Sequence, residues 1–549
     1  MNNETESKIE EAHHLSYRDD ENHFVRYRNI YDLIVSRKDK HPERLYLKFY
    51  TENGESTSYT YSEFASRVNS IADYLLTKDV KPESRIAVFS HNHSDTVILY
   101  FAAWSVGAVI VPINVSEEII RVEYILEDSC SRLIFTRNEY IEKLKGIKHT
   151  AKVVNFNEES FSDNSADLKP DHSIGIQTEC MIVYTSGTTG NPKGVVLTQY
   201  NLLTDSENIH KWHKLDEGDT MMCVLPIHHV NGTVVTIMTT MFYGGSLILN
   251  QKFQTGTFFK RLSEDNVKVV SVVPTLLQFL LHSNEDISGY DLKGFSHIIC
   301  GAGPLTCELA RKFERNFMLK IVHGYGLSET TCYSCFIPVD LSQQEHDQWM
   351  YEYGYPSIGI PLECNEMEIQ DEKGEPLSEN EKGEIVIRGH NVMKYYFNND
   401  EVNNKTFEFG WFRSGDEGFF KTDKNGKKYF FITGRLKELI IRGGVNISTL
   451  EIDEVIANCG NVVSGIAVGF ENDWYGEEVG ALIMLKEGDP ASEELKNKIL
   501  ESCSKILPFY KCPKVVVFTD EIPVTSTGKY QRNKAKHLFN EFKTIQFKK

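Results

Sequence analysis

The sequence predicts an α/β protein with a large N-terminal domain and a small α+β domain behind it. Short apolar segments alternate with helical segments up to about residue 322, which is typical of parallel-type sheets covered by helices. Beyond Tyr355 the chain becomes β-rich with glycine turns, which predicts a β-barrel-like subdomain over residues 355–433. At 549 residues the chain is also too long for one hydrophobic core, so several domains are expected.

The predicted elements of the N-terminal part follow one another in a regular order. Residues 1–25 are polar, and we expect a loosely ordered, flexible extension there. Apolar residues from Phe64 to Leu75 recur at helical spacing, which predicts a helix with one apolar face. Strands are predicted at residues 85–90, 108–113, 132–136, 153–156, 181–183, 195–197, 221–225, 246–249, 267–273, 297–300 and 320–322. Many of these strands end in Gly, Pro or His, at the sheet edge where open α/β sheets bind ligands.

The last part of the chain has the pattern of a compact α+β domain. Strands are predicted at residues 439–442, 462–469, 479–485 and 515–518, with helices at about 450–458 and 493–507. The charged segment Gly434–Glu438 precedes them and has the composition of a junction. We therefore expect an N-terminal domain of residues 26–436 and a C-terminal domain of residues 437–549.

Composition narrows the class of protein. The formal net charge of −19 argues against a nucleic-acid partner, which would require a basic face. Eleven cysteines without framework spacing indicate reduced thiols and a cytoplasmic location. No apolar run reaches about 18 residues, so no membrane span is expected.

The segment from Thr185 to Lys193 has the composition of a phosphate-binding loop. An apolar strand precedes it, and Lys193 offers a positive charge to phosphate oxygens. The residues that supply hydroxyl groups, backbone N–H groups and tight turns are Thr185, Ser186, Gly187, Thr188, Thr189 and Gly190. The loop differs from the P-loop of kinases and ATPases, because Gly194 follows Lys193 where that motif requires Ser or Thr.

Five further segments join this loop in a resemblance that covers nearly the whole chain. They are Pro226–Gly232, Gly324–Thr331, Gly410–Gly418, Gly434–Asn446 and Ser526–Tyr530. Together with the loop they resemble the acyl-adenylate-forming superfamily of acyl-CoA synthetases, adenylation domains and luciferases. The resemblance implies that a carboxylate attacks the α-phosphorus of ATP, that pyrophosphate leaves, and that a thiol then attacks the acyl-adenylate. Such a reaction needs cations and oriented donors more than a nucleophilic side chain.

The resemblance assigns roles around ATP. Glu329 would hold Mg²⁺ on the phosphates, Tyr325 would lie on the adenine, and Asp416 would accept the ribose hydroxyls. Arg435 would join Asp416 at the ribose and the phosphate edge. The remaining ATP-binding residues implied are Gly301, Ala302, Gly303, Gly324, Gly326 and Ser328, the last standing where the family usually has Thr.

Other roles concern the acid, the moving domain and the thiol. His229 would position the carboxylate, although whether His228 or His229 faces the substrate stays open. Lys529 would insert between the carboxylate and the α-phosphate, and the C-terminal domain would rotate at the hinge Lys437. The implied CoA-binding residues are Gly443, Gly444, Tyr475 and Lys511.

The expected function is therefore an ATP-dependent carboxylic acid–CoA ligase acting on a fatty or aromatic acid. One alternative is a free-standing adenylating enzyme that loads the phosphopantetheine thiol of a carrier protein. A luciferase-like oxygenase and an inactive scaffold are further alternatives. Val230 and Asn231 replace the Asp that amino-acid-activating domains carry nearby, which disfavours amino-acid substrates. A monomer and a homodimer are equally compatible with the sequence.

Overall fold

A computed structural model describes residues 2–17, 24–161, 167–169, 171–185, 191–486, 488–525 and 530–548. The strands within these residues are β1 (Leu45–Tyr50), β2 (Ser56–Thr60), β3 (Arg85–Phe89), β4 (Val109–Ile113), β5 (Leu133–Thr136), β6 (Lys152–Asn155), β7 (Glu179–Thr185), β8 (Lys193–Thr198), β9 (Thr220–Cys223), β10 (Ser246–Asn250), β11 (Val267–Val272), β12 (His297–Cys300), β13 (Ile321–Tyr325), β14 (Cys335–Phe336), β15 (Ile360–Pro361), β16 (Asn365–Gln370), β17 (Gly383–Gly389), β18 (Tyr395–Tyr396), β19 (Phe412–Thr422), β20 (Lys428–Arg435), β21 (Ile440–Arg442), β22 (Val445–Ile447), β23 (Val462–Asn472), β24 (Gly476–Leu485) and β25 (Val515–Phe518).

The α-helices in the same residues are α1 (Asn3–His13), α2 (Ile30–Lys40), α3 (Tyr61–Thr77), α4 (Ser94–Ser105), α5 (Ile119–Asp128), α6 (Asn138–Lys145), α7 (Gln199–Trp212), α8 (Thr239–Tyr243), α9 (Thr255–Glu264), α10 (Pro274–Ser283), α11 (Cys307–Phe317), α12 (Gln343–Tyr351), α13 (Asp400–Thr406), α14 (Thr449–Ala457), α15 (Glu493–Ile506) and α16 (Arg532–Ala535). A π-helix covers Asn231–Met238, and 3₁₀ turns cover Ser328–Thr330, Glu408–Gly410, Leu436–Glu438 and Lys536–Phe542. Each described helix is too short or too polar to cross a bilayer.

Two large sheets form the N-terminal part. One has the order β15-β14-β13-β12-β11-β9-β10-β1-β2 and the other β18-β8-β7-β4-β3-β5-β6. Their central strands run parallel, as the sequence predicts, and helices bury them on both sides. Antiparallel pairs lie at both edges of the first sheet and at the β18 edge of the second, whereas β6 at the other edge is parallel to β5. The antiparallel pairing of β7 with β8 places Lys193 directly opposite Thr185. The two sheets therefore present the ends of β7, β8 and β13 toward the same region.

A β-rich unit and an α+β unit follow. The strands β16, β17, β19 and β20 form an open antiparallel sheet in that order, and a bridge between Gly359 and Phe430 links it to the chain before β15. The C-terminal strands form a second antiparallel sheet in the order β22-β21-β24-β23, with β25 parallel to β24. Helices α14 and α15 pack their buried Ile456, Ile499 and Cys503 against it. The α/β class and its large and small parts are confirmed, and the exact domain boundaries stay predictions.

The first residues correct one expectation. Residues 1–25 were expected to be a flexible extension, but Asn3–His13 form a helix, with the Asn2 side chain accepting a hydrogen bond from the N–H of Thr5 as its N-cap. Ile9 and Ala12 of this helix, and Leu15 just after it, are buried. Because few apolar residues mark this segment, only its tertiary contacts show that it is ordered.

A carboxylate joins the C-terminal unit to the large one. Glu454 of α14 accepts the backbone N–H groups of Cys307 (2.9 Å) and Glu308 (3.2 Å), the first residues of α11. The N-terminus of a helix stabilises a negative charge, while burial raises the pKa of Glu454. The Ser448 hydroxyl also donates to the carbonyl of Thr433. These contacts fix the observed orientation of the small unit.

Candidate active site

Two adjoining cavities lie where the sheets, the β-rich unit and the C-terminal unit meet. The larger has a volume of about 920 Å³ and is bordered by Lys193, His229 and Glu329. The smaller has a volume of about 400 Å³ and is bordered by Tyr325, Asp416 and Gly303. Ala302, Gly326 and Arg435 border both, so the cavities are neighbouring compartments of one site.

Tyr325, Asp416 and Arg435 form a contact group at the smaller cavity. The antiparallel pairing of β19 with β20 sets Asp416 opposite Arg435, and β13 ends at Tyr325. The Tyr325 hydroxyl donates to Oδ2 of Asp416 across 2.6 Å. Oδ1 of Asp416 lies 3.1 Å from Arg435 Nε, yet this buried oxygen accepts no hydrogen bond. The charge of Asp416 raises the pKa of Arg435 above its usual range.

A buried carboxylate oxygen that is ion-paired but accepts no hydrogen bond offers a place for a hydroxylated ligand. A ribose hydroxyl would satisfy it, which agrees with the predicted role of Asp416. Tyr325 is nearly buried, so its ring forms part of the cavity wall.

Glu329 faces the larger cavity from the turn Ser328–Thr330. Its Oε1 accepts the hydroxyl hydrogen of Tyr396 across 2.7 Å, and the ring of Tyr396 lies under Lys193 Nζ at 4.9 Å. Strand β18 pairs with β8, which brings Tyr396 beside the start of β8 at Lys193. Tyr396 was not among the predicted site residues, because it lies outside the recognised motifs and a Tyr carries no signal of its own.

Positive charge is concentrated around Glu329. Burial lowers the pKa of Lys193, the nearby charge of Lys437 lowers it further, and Glu329 raises it. Lys437, Lys405 and Lys534 border the same cavity as Lys193. No group of three or more His, Cys, Asp or Glu suited to a metal occurs in the described part of the chain. Magnesium commonly uses one or two carboxylates and completes its shell with phosphate and water oxygens, so the carboxylate of Glu329 fits the metal, while the surrounding cations fit the phosphates.

The segment Pro226–Gly232 brings two imidazoles and an amide to the larger cavity. The rings of His228 and His229 lie 4.5 Å apart, and both border the cavity. Burial lowers the pKa of His228 to about 4, and its Nε2 has no hydrogen-bond partner. Asn231 donates to the hydroxyl of Tyr333 (3.2 Å) and accepts from Ser271 (2.7 Å). The question of which histidine faces the substrate therefore stays open.

The predicted glycine turn has a packing reason as well as a ligand one. A Cβ on Gly301 would lie 2.5 Å from the Tyr333 hydroxyl, and one on Gly324 would lie 2.3 Å from the Phe336 ring. Gly326 is tighter still, since its Cβ would overlap the Cys332 carbonyl. A Cβ on Gly303, in contrast, would make only ordinary contacts with Pro274. Gly303 also borders the smaller cavity. Ala302 between them adopts a left-handed conformation with φ of 60°.

Several predicted residues are not brought to the cavities or lie outside the described residues. Six predicted residues lie outside the part of the chain that the structure describes: Ser186, Gly187, Thr188, Thr189, Gly190 and Lys529. Val524 and Thr525 before Lys529, and Gln531 after it, border the larger cavity. Gly443 and Gly444 form the turn between β21 and β22, where both need positive φ (56° and 82°).

The other predicted CoA residues lie on the C-terminal unit. The carbonyl of Tyr475 accepts the N–H of Gly443 across 2.8 Å, and its ring packs under the Arg442 guanidinium. Lys511 pairs with both oxygens of Glu451 at 2.7 and 2.8 Å. None of these residues borders either described cavity in this orientation.

Comparison with known proteins agrees with this geometry. A model of the AMP-binding enzyme family matches residues 35–397, and one of the AMP-binding enzyme C-terminal domain matches residues 451–529. The chain belongs to the AMP-binding enzyme family. Oxalate–CoA ligase of Arabidopsis thaliana is 34% identical over 82% of this chain and 88% of its own length. Feruloyl-CoA synthase of an Amycolatopsis species is 28% identical over 88% of this chain and 94% of its own.

Solved structures give the same result. ATP-bound MatB from Rhodopseudomonas palustris superposes with a TM-score of 0.82 at 25% identity, covering 94% of this chain and 100% of that one. As an AMP-binding enzyme with CoA ligases among its relatives, the protein is an ATP-dependent, AMP-forming acid–thiol ligase of the acyl-CoA synthetase type. The expected family and reaction class are confirmed.

Proposed function

We propose that ATP occupies both cavities, with its adenosine in the smaller and its phosphates in the larger, and that CoA is the thiol acceptor. The observation that carries this proposal is the buried Oδ1 of Asp416, which is ion-paired with Arg435 but accepts no hydrogen bond, one compartment away from the cations around Glu329. A nucleoside triphosphate carries hydroxyl groups on its ribose and negative charges on its phosphates, which suit the carboxylate of one compartment and the cations of the other. The acid then occupies the end of the larger cavity near His229.

In the first half-reaction the acid carboxylate forms a bond to the α-phosphorus while the bond to pyrophosphate breaks. Lys193, Arg435 and Lys529 offset the repulsion between the anions and follow the charge that develops on the phosphate oxygens. Magnesium, when bound, would neutralise phosphate charge, and Glu329 would hold it. His229 orients the carboxylate.

In the second half-reaction the CoA thiolate attacks the acyl carbon, and AMP leaves. The proposed CoA residues Gly443, Gly444, Tyr475 and Lys511 lie on the C-terminal unit, away from the cavities. We propose that the unit turns at Lys437 to bring them to the adenylate. A carrier-protein phosphopantetheine would use the same chemistry and is the alternative acceptor.

The decisive experiment measures pyrophosphate release with a panel of fatty, aromatic and small dicarboxylic acids in the presence of Mg²⁺ and ATP. Active acids are then incubated with CoA or with a phosphopantetheinylated carrier protein, and thioester is measured by mass spectrometry. Acyl-CoA formation supports the proposal. If thioester forms only on the carrier protein, the carrier and not CoA is the acceptor. If no acid leads to pyrophosphate release, the proposed function is wrong.

A further inference from the structure

The N-terminal helix α1 is linked to Glu329 by a short series of hydrogen bonds. His13, the last residue of α1, donates from Nε2 to the carbonyl oxygen of Met393 across 2.9 Å. The backbone N–H of Met393 donates to the carbonyl oxygen of Glu329 across 2.7 Å. Three residues further on, Tyr396 donates to the Glu329 carboxylate. The segment Met393–Tyr396 therefore holds Glu329 at its backbone and at its side chain.

Helix α1 also packs behind the wall of the larger cavity. It contacts the turn Glu408–Gly410, where a Cβ on Gly410 would lie 2.2 Å from the Glu11 carboxyl carbon. Lys8 donates to Asn404 of α13 across 2.9 Å. Glu408 and Lys405, from the same turn and helix, border the cavity. One side of the cavity thus consists of elements that α1 supports from outside.

This support lies outside the part of the chain that the family model covers, because the match begins at residue 35. Nothing in the reaction chemistry requires this support, and no motif in the sequence predicts it. Burial lowers the pKa of His13. Because a carbonyl oxygen can only accept a hydrogen bond, Nε2 carries the hydrogen that is donated to Met393.

We propose that His13 is a positioning residue for the metal-binding carboxylate, acting on Glu329 through Met393. The inference rests on the proposed function only in taking Glu329 as the magnesium ligand. Hydrogen-bond partners behind a metal ligand orient it, and their loss commonly lowers metal affinity about 10–100-fold. His13 acts through one intervening residue, so we expect a loss of about threefold to tenfold.

The test compares four full-length variants with the wild type. His13→Leu removes the donor and keeps the bulk, whereas His13→Gln restores an N–H donor. Ser7→Ala, at an exposed position of the same helix, is the matched control. Tyr396→Phe is the positive comparison, because it removes a direct hydrogen bond to Glu329. For each protein we would measure the Mg²⁺ concentration that gives half-maximal pyrophosphate release, the Mg²⁺ dependence of ATP affinity by calorimetry, and the thermal midpoint.

We expect His13→Leu to raise the half-maximal Mg²⁺ concentration about threefold to tenfold in both assays, with Gln bringing it back to within about twofold. Ser7→Ala should match the wild type, and thioester formation from supplied acyl-adenylate should be unchanged in Ser7→Ala and in both His13 variants. A lower thermal midpoint with an unchanged Mg²⁺ dependence would overturn the proposal, as would a Gln variant no better than Leu. If the wild type released no pyrophosphate, the proposed function would fail, whereas the calorimetric comparison would still decide the role of His13.

Discussion

Tyr325 holds one oxygen of Asp416 at 2.6 Å and leaves the other, although buried, without a hydrogen bond. The tyrosine therefore fixes the rotation of the carboxylate before any ligand arrives. An acceptor fixed in this way binds a hydroxyl group at a lower entropic cost than a freely rotating one. This arrangement leads to the first prediction.

Asp416→Asn should raise the KM for ATP about tenfold to a hundredfold, because a hydrogen bond to a charged group contributes about 1.5–3 kcal/mol. The wild type should prefer ATP to 2′-deoxy-ATP, and the variant should lose most of that preference. Steady-state kinetics with both nucleotides measure the change. Tyr325→Phe, which keeps the carboxylate and releases its rotation, should have a smaller effect. An unchanged ratio between the two nucleotides would place the ribose elsewhere.

Lys529→Ala should lower the rate of adenylation about a hundredfold or more, since removing one donor to developing charge has an effect of that size. Thioester formation from supplied acyl-adenylate should be largely retained. Rapid-quench measurement of each half-reaction separates the two. Lys505→Ala, on the exposed face of α15, is the surface-lysine control. Equal losses in both half-reactions would show that Lys529 is not specific to adenylation.

A third prediction concerns Tyr333 and the length of the acid. Its ring borders the larger cavity beside Asn231, and its hydroxyl lies where Gly301 has no side chain. Tyr333→Val should open this end and shift kcat/KM about tenfold or more toward acids one or two methylenes longer. Tyr333→Phe removes only the hydroxyl and should preserve the wild-type order of acids. The same order of acids in the Val variant would mean that the acyl group lies away from Tyr333.

A buried histidine pair predicts how stability depends on pH. His213 Nδ1 lies 2.8 Å from His297 Nε2, and burial lowers the pKa of His297 to about 3. The unfolded chain binds a proton near the ordinary pKa of about 6.5, so the folded state loses stability as the pH falls below that value. The loss for His297 is about 1.4 kcal/mol per pH unit until its folded pKa is approached.

Urea unfolding between about pH 7 and about pH 5 tests this dependence. His297→Asn should be less stable than the wild type near neutral pH, yet its stability should fall less steeply toward acid. The exposed His537 provides a control, because His537→Asn should keep the slope of the wild type. Parallel slopes for the wild type and His297→Asn would contradict the prediction.

Local hydrophobic patterns and sequence motifs were enough to predict most strands and the class of reaction. The predicted strand at residues 515–518 is β25, and that at 85–90 is β3 within one residue. Short apolar runs bounded by polar turns are typical of buried strands, so the positions of these strands can be predicted from the sequence. Tyr325, Glu329, Asp416 and Arg435 were found because each lies in a motif, and the structure brings all four to the two cavities.

What could not be predicted depends on contacts between distant parts of the chain. Tyr396 meets Glu329 only because β18 pairs with β8, and α1 becomes ordered only because it packs on residues nearly 400 positions away. The unsatisfied oxygen of Asp416 is likewise a matter of orientation, which no residue spacing encodes. The proposed roles of Lys529 and of the loop Ser186–Gly190 still rest on the resemblance.

The hydrogen bonds between Glu454 and the first turn of α11 have a consequence for the timing of the reaction. If the small unit is to turn, a carboxylate and two amide groups must separate and be rehydrated together. Departure from this orientation is then an activated step in its own right, governed by solvent entry at a place remote from the reacting atoms. Under the proposed rotation at Lys437, the adenylate would therefore stay bound for a defined interval before the thiol reaches it.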